Sequence, residues 1–309
     1  MGEMMNESEL YIYLGQDEHY ITLDEMNSIV NTINTISNDL CVKLLSNYQD
    51  ISLVIYPCEQ GSFKLKIKHM LLTGVCILTW LNESEAGRAF VEGLTGHETP
   101  YYYKRAGQIL GDAIKGVLEK DIFTLEKINN ELGNCGYILD KSIKEKSVLY
   151  EAINKSKTIK SISFNNENSN AIPKKDFINH IKKGDIIRQL EPNYEILDLI
   201  ISKSINTKQQ GKWTFELLET KKKFNAKILD NVFMSKFLDG FYPLKEGNQD
   251  DIIKALLRID TKIKNGNKET EEYFIQEIFN FNENKIKVIP QEFEKYLQTK
   301  YDYKMPSLF

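Results

Sequence analysis

The stretch "KWTFELLETKKKFNAKILDNVFMSKF", Lys212 to Phe237, decides how the second half of this 309-residue chain folds. Trp213, Phe215 and Leu217 alternate with polar residues, and so do Phe224, Ala226 and Ile228. Period-two alternation marks strands with one buried face, so the segment predicts a β-hairpin that delivers aromatic side chains into a core. Asp230 or Asn231 then stands where a helix cap belongs, ahead of a short helix bearing Phe233 and Phe237. Around this hairpin, from Thr158 onward, lie further short β-like runs: "TIKSISF", "YEILDLIISKSI", "DIIKALLRI" and "EEYFIQEIFNF". Turn-forming clusters such as "NNENSN", "NTKQQG", "EGNQDD" and "KNGNKE" separate them. Two short helices interrupt, near Pro173–Ile181 and Val232–Leu238. Many short strands at this spacing predict a small barrel or sandwich, of which a barrel-like module over 156–309 is the expected form.

The first half follows different periods. Leu10, Ile12 and Leu14 alternate as a strand, and Thr22 with Glu25 forms a capping box ahead of an apolar stripe through Met26, Val30, Ile33, Leu40 and Leu44. Ile51–Ile55 and Phe63–Ile67 read as two strands, the second alternating with Lys64, Lys66 and Lys68 as a row suited to a sheet edge. Helical patterns follow through Lys155. The expected fold class is therefore α+β: a helix-on-antiparallel-sheet domain with added helices over 1–155, then the barrel-like domain over 156–309.

Composition narrows the function classes. A hydrophobic fraction of 41% with 15 Phe and 16 Tyr supports a real core. The net charge of −4 gives no global attraction to nucleic acid or anionic membrane. The only arginines are Arg88, Arg105, Arg188 and Arg258, too few for bidentate reading of guanine edges. The Lys, Asn and Ile excess matches translation from an AT-rich bacterial genome. Cys41, Cys58, Cys76 and Cys135 show no metal or redox spacing, and the four histidines, His19, His69, His97 and His180, sit at no ligand spacing. No metal and no cofactor is expected. The acidic start "MGEMMNESEL" is no signal peptide, and the longest apolar run, Met70–Leu81, is shorter than the roughly 20 residues that span a bilayer. The expectation is a cytoplasmic protein with no membrane contact and an undetermined oligomeric state.

Three segments carry site-like chemistry. In "GLTGHETPYYYKRAG", Gly93 to Gly107, Thr99 and Pro100 read as N-cap and first helical residue. Amides at such a start bind anions, with Lys104 and Arg105 as reinforcement and His97 and Tyr101 as lining; packing of the tyrosines on a core is the competing account. Glu219, Thr220 and Lys221, with Asp198 upstream, resemble the acidic-acidic-lysine arrangement of one nuclease superfamily, which implies a metal-dependent nuclease or hydrolase; a solvated hairpin turn is the competing account. The lysine clusters at 174–175, 182–183 and 221–223 suit either a nucleic-acid face or an ordinary solvated surface.

The Lys212–Phe237 segment and "EQGSF" at Glu59–Phe63 also resemble the tails of uncharacterised bacterial proteins associated with mobile elements and phage-defence loci. That resemblance implies an accessory or sensor component and brings no catalytic residues. The sequence therefore favours a non-catalytic binding protein whose partner is another protein or a small anionic ligand. The alternatives are the nuclease with Asp198, Glu219 and Lys221, and a non-specific nucleic-acid binder.

Overall fold

The computed structural model describes residues 6–16, 21–46, 51–56, 63–71, 76–77, 84–103, 108–132, 137–165, 170–203, 211–245 and 250–291. The chain forms two compact units: Met1–Ile187 with Lys264–Asn267, and Arg188–Ile263 with Lys268–Phe309.

In the first unit, β1 (Asn6–Gln16), β3 (Ile51–Tyr56), β4 (Phe63–Leu71), β6 (Ile159–Phe164) and β7 (Ile172–Pro173) form one antiparallel sheet in the order β3-β4-β1-β6-β7. A separate pair joins β2 (Leu45–Ser46) to β5 (Cys76–Ile77). Leu10, Ile12 and Leu14 of β1 are buried, as their alternation requires. Helix α1 (Leu23–Leu44) starts at the capping box: the Thr22 N–H donates to Glu25 Oε2 at 2.8 Å, and the Glu25 N–H donates to Thr22 Oγ1 at 3.2 Å. Its stripe of Ile29, Ile33, Ile36 and Leu40 shares a core with β1 and with α2 (Glu85–Thr95), α3 (Gln108–Glu119), α4 (Ile122–Asn130) and α5 (Asp140–Lys155).

Two sequence expectations change here. Strand β6 lies beyond residue 156, yet it pairs with β1, Ile12 opposite Phe164 and Leu14 opposite Ile162. The compact units accordingly divide after Ile187 rather than near 156. A strand's period fixes which face it buries, not which sheet it joins. The lysine-bearing β4 is likewise interior to its sheet, between β3 and β1, with Lys66 in register with Tyr11 on one side and Tyr56 on the other.

The second unit is the expected barrel. Strands β9 (Asn193–Lys203), β10 (Lys212–Leu217), β11 (Lys223–Ile228), β12 (Ile252–Lys264) and β13 (Asn267–Phe281) close into a five-stranded barrel. Neighbours run β9-β10-β11-β13-β12 and back to β9, antiparallel at β9–β10, β10–β11 and β12–β9 and parallel at β11–β13. Short strands β8 (Ile187–Gln189) and β14 (Asn284–Lys285) flank β12 and β13. Asn265 and Gly266 turn the β12–β13 hairpin with φ of 50° and 73°, the two positive values that a tight type I′ turn needs. Trp213, Phe215, Ala226, Leu199 and Ile275 fill the interior. Helix α6 (Asn231–Leu238) packs its Phe233 and Phe237 into that core; Phe237 meets Trp213 edge-on at 5.1 Å between ring centroids.

Asp230 fixes the helix in place. Its Oδ1 accepts the Phe233 N–H at 3.0 Å, and its Oδ2 accepts the Ile278 N–H at 3.1 Å and Lys287 Nζ at 2.8 Å. Burial opposes ionisation of this carboxyl, but these hydrogen bonds outweigh it and hold its pKa below the ordinary value.

Candidate functional site on the barrel face

Because Trp213, Phe215, Ala226, Ile228, Ile275, Ala255 and Leu257 point inward, the residues between them point out. The ladder registers place five of these outward residues in one row. Lys212 on β10 lies opposite Lys227 on β11, and Lys227 is in register with Phe274 on β13. The Arg258 guanidinium on β12 sits over the Phe274 ring at 4.9 Å, and Arg258 lies opposite Tyr194 on β9. The row thus crosses all five strands. Adjacent strands are about 4.8 Å apart, so it extends roughly 19 Å around the barrel.

Its electrostatics are uneven. Asp260 grips Arg258 along one edge of the guanidinium, at 2.9 Å to Nε and 2.7 Å to Nη2. That contact cancels the net charge but fixes the guanidinium plane against Phe274. Lys212 is exposed and meets Glu272 at 3.8 Å, a loose surface pair worth at most about 1 kcal/mol. Lys227 makes no ion pair among the described residues. Toward the β10–β11 turn, Glu216 receives Lys221 at 3.6 Å and Lys223 at 3.8 Å. Thr214 and Asn225 hydrogen-bond across the same face at 2.9 Å.

The nuclease candidates fall at the tip of this hairpin. Glu219 is exposed in the turn between β10 and β11, and Lys221 follows with φ of 57°. Asp198 is exposed on β9, where its carbonyl accepts the Leu218 N–H at 3.2 Å. The backbone therefore brings these positions to one end of the barrel. Among the described residues, no group of three or more His, Cys, Asp or Glu side chains is placed to hold a metal ion.

The Gly93–Gly107 segment differs from the expected helix start. Thr99–Tyr103 is a 3-10 turn rather than the first turn of an α-helix, and α3 is described over Gln108–Glu119. Thr99 does not act as a cap: among the described residues its buried Oγ1 has no hydrogen-bond partner. His97 and Tyr101 do come together, their rings stacked at 4.2 Å, and the Tyr101 hydroxyl reaches Gln108 at 3.5 Å. Lys104 and Arg105 lie outside the described residues. The glycines serve packing and termination. A Cβ on Gly93 would sit 3.2 Å from Ile128, and Gly96, with φ of 80°, ends α2.

A second polar cluster, in the first unit, escaped the sequence reading. Lys146 and Tyr150 stand one turn apart on α5, both fully buried. Lys146 Nζ donates to the Lys120 carbonyl, and the Tyr150 hydroxyl donates to the Leu118 carbonyl at 2.8 Å. His180 stacks on Tyr150 at 4.5 Å and also hydrogen-bonds the Lys120 backbone. Together they satisfy carbonyls left open at the α3 C-terminus, where positive charge is favoured. Burial, then the neighbouring Lys146 charge, pushes the His180 pKa down to about 4, and burial also lowers that of Lys146. This is a structural clamp, made of helix-capping contacts. Among the described residues, no helix is long and apolar enough to cross a membrane. Comparison with known proteins finds no matching family model, no matching curated protein and no matching solved structure.

Proposed function

We propose that the protein acts by binding rather than by catalysis, as an accessory or sensor component, with the barrel as its ligand-binding module. The observation that carries this is the strand order. Numbered along the chain, the barrel strands join 1-2-3-5-4-1, with the third and fifth parallel and one helix between the third and fourth. This is the layout of the oligonucleotide- and oligosaccharide-binding barrels, which present ligands across the outer face around the second and third strands. Such a fold hosts many ligands, so the side chains must select among them. Here the outward face offers amines and a clamped guanidinium on a rigid scaffold, an arrangement suited to holding a ligand. A bacterial mobile-element or phage-defence setting is part of the proposal, and it rests on the resemblance of the Lys212–Phe237 segment alone.

The test is thermal unfolding of the intact protein against a panel: an unstructured oligonucleotide, a neutral oligosaccharide, a nucleoside triphosphate and inorganic phosphate. A ligand of the native state raises the melting temperature by mass action, and the proposal expects at least one such shift without turnover. Mg²⁺-dependent hydrolysis that disappears in Glu219→Ala would overturn it in favour of the nuclease.

A further inference from the structure

We infer that the barrel's ligand is single-stranded nucleic acid, held without sequence preference along the row Lys212–Lys227–Phe274–Arg258–Tyr194. The inference rests on the barrel being the binding module and names the ligand class of that module.

The row has the two ingredients that single strands require. At one end, Lys212 and Lys227 face each other across β10 and β11. Two amines at that separation provide point charges for phosphate oxygens, with Glu272 as the only acid paired to either among the described residues. At the other end are flat surfaces. Arg258 lies on Phe274 with its Nε–Nη2 edge held by Asp260, so the guanidinium plane is fixed and its face turned away from the ring is a surface for stacking. Bases stack on guanidinium planes as they do on aromatic rings. Tyr194, opposite Arg258 on the neighbouring strand and half-buried, adds a second platform.

The same features exclude close alternatives. Asp260 takes the Nε–Nη2 edge of Arg258, and the contact assigned to a base here is stacking on the guanidinium plane, which does not read base identity. Stacking needs unpaired bases, which a duplex does not present. A neutral oligosaccharide would use the platforms but leave the two amines without a role. At roughly 19 Å the row accommodates a short track, near the lower end of the roughly 4–16 nucleotides per barrel of this kind.

The experiment is fluorescence anisotropy with labelled thymidine and adenine oligonucleotides of about 12 nucleotides, long enough to cover such a site. It uses the intact protein at low salt. Wild type should bind both oligonucleotides with similar affinity and bind a duplex of equal length no more tightly. Arg258→Lys keeps the charge and removes the plane; it should weaken binding roughly fivefold or more, as should Tyr194→Ala. Lys227→Ala, at an outward strand position, should weaken binding to both oligonucleotides alike. Wild type that fails to bind single strands overturns the inference, as does full affinity in both Arg258→Lys and Tyr194→Ala. If a neutral oligosaccharide or inorganic phosphate stabilises the protein while oligonucleotides do not, this inference falls and the binding-module reading stands. Mg²⁺-dependent cleavage would strike the latter instead.

Discussion

Asp230→Ala tests how the barrel is held together, and its cost can be worked from the contacts. The Asp230 side chain is 3% exposed and serves three donors through two oxygens. Removing it deletes the cap of α6, which costs about 1 kcal/mol. It also leaves the buried Ile278 N–H without an acceptor, at about 1–3 kcal/mol. Lys287 is one-third exposed and turns to water at little further cost. The total is about 2–4 kcal/mol. With a urea m-value of about 1–3 kcal/mol/M, the unfolding midpoint should fall by roughly 0.7–4 M. Trp213 lies 5.1 Å from Phe237 of α6, so its fluorescence follows the element that Asp230 anchors. A Trp80→Phe background leaves Trp213 as the single reporter. Asp230→Asn, which keeps one acceptor, should fall between wild type and Asp230→Ala. A loss below about 0.5 kcal/mol in Asp230→Ala, the range of ordinary surface changes, would refute the reasoning.

Other outcomes follow from the same contacts. Glu219→Ala should change stability by less than about 0.5 kcal/mol in a denaturant titration, because the residue stands exposed in a turn. His180 is neutral in the folded chain, with a pKa near 4 against an unfolded value of about 6.5. The unfolded state therefore binds the extra proton, so the His180 contribution is complete above about pH 6.5 and lost on acidification toward pH 4, on the order of 3 kcal/mol. Stability measured across that window should fall less steeply in His180→Gln, and equal slopes would contradict the assignment. Asp121 and Lys146 face the imidazole, and Lys146 acts with burial to keep it neutral. The Asp230 carboxyl acts in the same sense at lower pH: its contribution is present above the ordinary Asp range and lost as pH falls through its lowered folded pKa.

Local elements were legible because local physics sets them. The Thr22–Glu25 box, the Asp230 cap and the alternation of Trp213, Phe215, Ala226 and Ile228 each depend on residues a few positions apart. The assignment of β6 to the first sheet was not legible, since its pattern suits either unit and pairing with β1 spans about half the chain. The row on the barrel face was hidden for the same reason. Each of its members sits at an outward position that alternation reveals, but the parallel β11–β13 register that sets Lys227 beside Phe274 depends on the closed barrel. The 3-10 turn at Thr99–Tyr103 shows the reverse failure, where good capping chemistry yields to packing around a buried Thr99. Lys146 lay inside a moderate helical pattern, and nothing nearby in sequence marks the α3 carbonyls that it caps.

The salt dependence of single-strand binding tests the central claim most directly. Lys227, unpaired among the described residues, and Lys212, held only by its loose pair with Glu272, supply the charge available to phosphate, while Asp260 neutralises Arg258. Each phosphate contact contributes about −0.7 to the slope of log K against log salt for single strands, so wild type should give about −1.4 and Lys227→Ala about −0.7. A wild-type slope near zero, or a slope unchanged in Lys227→Ala, would contradict nucleic-acid binding through this face.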